Sequence, residues 1–263
     1  MTIHARANTA CVLLIVLLPL SFFAQAGGFA RNHQHYPAIE LPWVAAFVEH
    51  GIAFSTTLFG QPEITASEVD LRISQPTDAN SKLPKGFTGT SLRNGEQGAF
   101  TIFLSRKPGS IAFHGQLAHE IAHLHNPHLY DVYVEGLNTL FATKLLASEG
   151  LDWSRWEKHF KRGGDPFYGE SYQLMVELET IVGERKLGSL LQHAVNSNRS
   201  GSRMHIDIDS WLDTLENEQR ENATSAIHAR AEPMEQARKA SRPYYAFHQP
   251  IIMHELTPRL AEK

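Results

Sequence analysis

The run His119-Glu120-Ile121-Ala122-His123 is the strongest constraint on how this chain folds. Histidines four apart stand one turn above the other on the same side of a helix, where both rings can reach a single ion. Glu120 leaves that helix about 100° round from His119, placed to address a water on the ion instead of the ion itself. The flanking residues agree with a helix. Ser110 is placed as its N-cap, Leu117, Ile121 and Leu124 recur at helical spacing, and Asn126-Pro127 ends it. With 15 histidines and 28 acidic residues in the chain, such a pattern arises by chance only about 0.06 times.

At 263 residues, the chain is long enough for one large core or two small ones. Its start reads as a secretory leader. A short polar stretch containing Arg6 precedes the apolar run Cys11 to Leu20, and Ala24-Gln25-Ala26 supplies a cleavage pattern before Gly27. The apolar run is too short for a membrane span and is broken by Pro19, so a signal peptide over 1–26 is expected, with no stable span after its removal. The single cysteine, Cys11, lies inside that leader, and the mature chain would form no disulfide. Export without disulfides suits a bacterial periplasm, and the expected location is secreted or periplasmic. A net charge of −4 gives no reason to expect a nucleic-acid partner.

Hydrophobic periodicity divides the rest. Leu41 to Phe54 reads as a first helix, residues 67–73 alternate as a half-buried strand, and 76–95 are rich in turn formers. Ala99 to Ser105 is the clearest strand, ended by Lys107-Pro108-Gly109, and it precedes the motif helix closely enough to border a cleft and pair with an extended peptide. Helices then follow over 130–147 and 168–182, with a shorter one over 187–195 and another capped by Ser210. Glu218 to Ala240 is highly charged and reads as a solvated helix or tail. The fold class is therefore α+β: a strand-containing half, the motif helix, then a mainly helical half, with a metal in the cleft between them. The domain reading is a signal over 1–26, one domain over 27–220, and a charged tail or helix over 221–263.

Two histidines need a third protein ligand to hold zinc with one position left open. The pattern of residues 119–123 is that of zinc hydrolases, and Val134-Glu135-Gly136-Leu137-Asn138 resembles the Asn-Glu-Gly segment of the gluzincins, with Val134 in place of the asparagine. Phe167 to Leu178 is similar to the tyrosine-bearing helix of peptidase MA-like gluzincin domains. The resemblance spans roughly residues 95–195 and implies a zincin-like fold, a Zn²⁺ cofactor held by His119, His123 and Glu135, and a peptide or protein substrate. It further implies Glu120 as the general base for the attacking water and Tyr168 as donor to the oxyanion, with Tyr172 one turn away as the second choice. Gly136 would let the third-ligand helix pack close to the motif helix.

The residues alone leave other third ligands open, namely His128, Asp131, Glu170 and Glu177, and Asp131 also suits a supporting hydrogen bond to a ligand histidine. His125 and His128 read as loop histidines without a role, and His114 as a packed one. The expected function is a secreted zinc metallopeptidase. Two others compete with it: a non-catalytic zinc- or partner-binding module on a peptidase scaffold, and a zinc amidase acting on cell-wall peptides.

Overall fold

The computed structural model describes residues 33–79, 82–83, 85–86, 88–92, 100–125, 127–129, 131–196 and 204–240. The leader over 1–26, Ala99, Asn126, Tyr130 and the final residues 241–263 lie outside the described residues.

The architecture is α+β and mostly helical. Helix α1 (Pro42–Phe59) is followed by a three-stranded mixed sheet of β1 (Val69–Ile73), β2 (Gly89–Leu92) and β3 (Phe100–Leu104). The motif helix α2 (Ile111–Ala122), α3 (Val132–Ser148), α4 (Ser154–Lys161), α5 (Pro166–Val182) and α6 (Glu184–Gly188) come next. A small hairpin of β4 (Ala194–Asn196) and β5 (Met204–Ile206), the short α7 (Ile208–Leu212) and the long α8 (Asn217–Ala240) complete it.

Strand β3 is the middle of the sheet, parallel to β1 and antiparallel to β2. All five of its residues are buried, the polar Thr101 among them: Ile102 and Leu104 face the helices, while Phe103 meets Tyr36 edge-on. With a strand on each side, β3 has no edge to offer a peptide, so the expectation of substrate pairing along Ala99 to Ser105 is overturned. The outer side of β1 is itself bridged by residues 37–39, where the Ile39 N–H donates to the Leu71 carbonyl at 2.9 Å.

Two apolar cores meet at α3. The first joins α1, β3 and α2 through Phe47, Ile102, Phe113, Leu117 and Ile121. The second joins α5, α7 and α8 through Leu174, Met175, Leu178, Trp211 and Ile227. Helix α3 belongs to both, with Leu137 and Leu140 in the second and Phe141 and Leu145 in the first. Such a helix is buried almost all round, as its run of apolar residues requires.

Several local expectations change. The strand expected over 67–73 starts later, because Thr65-Ala66-Ser67-Glu68 forms a capping box and a 3₁₀ turn, with the Thr65 hydroxyl 2.6 Å and its N–H 2.8 Å from Glu68 Oε2. Residues 194–196 are strand, not the end of a helix, since they pair with 204–206. Asp207, not Ser210, caps α7 and accepts the Ser210 N–H at 3.0 Å. Helix α4 was not anticipated, although Trp153, Trp156 and Phe160 recur at helical spacing. Finally, α8 is more than a solvated segment: Ala223, Ile227, Ala231 and Met234 form a buried stripe of small and apolar residues between charged ones.

Candidate metal centre

Helix α2 is set by its cap and its stripe. Ser110 Oγ accepts the Phe113 N–H at 3.2 Å, and Leu117, Ile121 and Leu124 are fully buried in the first core. That orientation turns His119, Glu120 and His123 toward α3. The last turn tightens to 3₁₀ over His123–His125, yet the His119 and His123 rings still lie 5.2 Å apart. Asp131 caps α3 by accepting the Tyr133 N–H at 2.7 Å, and its other oxygen accepts the Ile206 N–H at 3.1 Å. Its carboxylate therefore ties α3 to β5 and supports no ligand histidine.

Glu135, in the first turn of α3, faces both histidines. One carboxylate oxygen is 3.1 Å from His119 Nε2 and the other 3.7 Å from His123 Nε2. One donor atom from each of these three residues lies within 4.8 Å of the others, the separation a single cation needs. Two of the alternative third ligands are engaged elsewhere, Glu170 and Glu177 each lying 3.2 Å from Arg230.

Thr139, one turn after Glu135, decides how His119 presents itself. Its hydroxyl has one hydrogen, donated to the Glu135 carbonyl at 2.7 Å. With that hydrogen so placed it accepts from His119 Nδ1, 3.3 Å away, which favours the tautomer with the proton on Nδ1 and Nε2 free for a metal. Nε2 faces the Glu135 carboxylate at 3.1 Å, a separation that either a shared proton or a bound cation bridges, so the donor set fits a divalent metal. Two imidazoles and a carboxylate are donor types that first-row divalent metals take.

The same proximity is visible in protonation. Burial alone would lower the His119 pKa, but its hydrogen bond and charge interaction with Glu135, aided by Glu120, raise it above the ordinary value. Glu120 is buried and held at about 7, pushed up by loss of water and by the Glu135 charge and opposed by His119.

Tyr168 and Tyr172 separate clearly. The Tyr168 ring stands edge-on to His119 with centroids 5.7 Å apart. Tyr172 is buried with its hydroxyl 3.4 Å from Glu157, and burial with the Glu157 charge raises its pKa. Gly136 does not face the motif helix as expected. A Cβ there would lie 2.3 Å from the Ser171 carbonyl oxygen, so the missing side chain lets α3 and α5 touch. His125 is a core residue whose Nε2–H donates to Ser55 Oγ at 2.7 Å, because that hydroxyl gives its own hydrogen to Ile52. His114 packs against Trp43 and Phe47.

Beside His119 lies a cavity of about 240 Å³ whose lining includes His119, Glu120, Thr139 and Tyr168. Its wall also includes the rings of Trp153, Trp156 and Phe160 and the charged Arg106 and Asp165, none of which carries a functional signal in the sequence. Thr139 was also missed, although a hydroxyl one turn after a ligand on the same helix is a readable signal. Among the described residues no helix is long and apolar enough to cross a membrane. Comparison with known protein families, curated proteins and solved structures finds nothing that matches this chain.

Proposed function

We propose that the chain is an exported zinc-dependent peptidase of gluzincin type, with a zincin-like fold around the site. The observation that carries this reading is the convergence of His119, His123 and Glu135 beside the buried Glu120. The order of elements supports it: a mixed sheet, the motif helix, the ligand helix α3, then the tyrosine-bearing α5.

Zinc bound by these three side chains would supply a Lewis acid and an acidified water at neutral pH. The chain's own residues provide the rest. Glu120 accepts the proton of the attacking water and returns it to the leaving amine, a task for which a pKa near the working pH is best. Ligation alone has no use for a buried carboxylate at that position, which favours an enzyme over a binding module. Tyr168 donates a hydrogen bond to the carbonyl oxygen as it gains charge, an interaction stronger in the transition state than in the ground state.

The test is Glu120→Gln. It should retain zinc at wild-type stoichiometry while peptide hydrolysis falls by at least about a hundredfold. Turnover at the wild-type rate would refute the mechanism. Running cell-wall peptides beside protein substrates distinguishes a peptidase from an amidase.

A further inference from the structure

We infer that the cavity beside His119 and Glu120 is the specificity pocket of the site and receives an aromatic side chain adjacent to the bond that is cut. This rests on the peptidase reading above.

The pocket has a floor of small residues and a wall of rings. On the motif helix, Gly115 lies one turn before His119; on α3, Ala142 lies one turn after Thr139. A Cβ at Gly115 would come within 2.1 Å of the Trp153 ring, so only glycine lets that indole lie against the helix at this point. Trp153 stacks on Trp156 with centroids 5.5 Å apart and planes 21° from parallel, and Phe160 follows 6.4 Å from Trp156.

Arg106 and Asp165 also line the pocket but are themselves exposed to solvent, while its uncharged polar groups Gln116 and Thr139 are already engaged. Gln116 accepts the Ser105 N–H and donates to the Ser105 hydroxyl, and the Thr139 hydroxyl is shared between Glu135 and His119. A charged side chain pressed against Trp153, Trp156 and Phe160, inside the two exposed charges, would lose water without a partner there, whereas a flat ring would gain aromatic contacts. At about 240 Å³, the cavity is smaller than the roughly 300 Å³ at which whole-ligand sites begin, which suits one side chain. Because His119 and Glu120 form part of its lining, a ring seated in it lies next to the reacting carbonyl.

Burying a ring of this size should favour aromatic over small residues by roughly tenfold to a hundredfold in kcat/KM. The experiment is digestion of an unbiased peptide mixture by the zinc-loaded full chain, with cut sites read by mass spectrometry. Phenylalanine, tyrosine or tryptophan should be enriched at one position flanking the cut. Ala112 also lines the pocket from the motif helix, and Ala112→Leu, which fills it, and Gly115→Ala, which displaces Trp153, should each reduce that enrichment with zinc content unchanged. Cleavage without aromatic preference, or a preference that neither variant moves, overturns the assignment. A second arm separates this inference from the peptidase reading: binding of phenylalanine hydroxamate and glycine hydroxamate, followed by tryptophan fluorescence. If no peptide is cut yet the aromatic hydroxamate binds at least tenfold tighter, the pocket stands and the peptidase reading falls. Equal binding of the two overturns the pocket.

Discussion

Thr139→Val isolates the contribution of one hydroxyl to metal binding. The substitution keeps the shape of a side chain that is almost fully buried and removes only its donor and acceptor. The Glu135 carbonyl retains its ordinary helix hydrogen bond, so that side of the loss is small. The His119 side is not. With valine present, Nδ1–H has no acceptor at the 3.3 Å position, and a buried donor left unmade costs about 1–3 kcal/mol. The ring then gains by shifting its proton to Nε2, where Glu135 lies at 3.1 Å, and that tautomer cannot bind a metal through Nε2. Both effects act on the metal-competent form, so zinc affinity should fall by about 10–100-fold, the range found for partners of ligand histidines. Competition with a chromophoric chelator at neutral pH measures the dissociation constant directly. Thr139→Ser restores the hydroxyl and should recover most of the affinity. Wild-type affinity in the valine variant would refute the tautomer argument.

Two further perturbations test the frame around the site. Gly136→Ala places a Cβ 2.3 Å from the Ser171 carbonyl oxygen, so α3 and α5 must separate; overpacking of this kind costs about 1–3 kcal/mol, readable in urea unfolding against Gly89→Ala, whose added Cβ meets nothing within 4 Å. His125 is lowered to about 4 by burial, while the unfolded chain protonates it near 6.5. Because the folded pKa is the lower one, its effect on stability is absent above about pH 6.5 and destabilising as pH falls toward 4, reaching roughly 3 kcal/mol. The difference between wild type and His125→Gln in metal-free protein should follow that window; parallel pH profiles of the two would contradict it.

Much of the site was legible because its chemistry is local. His119, Glu120 and His123 sit on one helix and its closing turn, and a four-residue spacing suffices to put two rings on one side. Glu135 and Tyr168 needed more, since nothing in a single chain's spacing says which of several acids or two tyrosines turns inward. The structure brings Glu135 and Tyr168 to the motif helix and sends Glu170, Glu177 and Tyr172 to Arg230 and Glu157. Helix α4 escaped notice because it is short and closely follows α3, and its apolar face is made of three large rings that no motif announces.

What residue order determined by itself is what one or two turns of backbone can decide: the motif helix with its Ser110 cap, the strand character of 100–104, and the alternation of strand and helix that makes the chain α+β. Tertiary structure alone decided that β3 is a central strand, that α8 lies against the second core, that Gly136 answers to α5, and that Thr139 orients His119. The physical reason is separation along the chain. Spacing dictates which side chains share a face of one element, but which face meets which neighbour is settled by burial of apolar surface summed over the whole molecule.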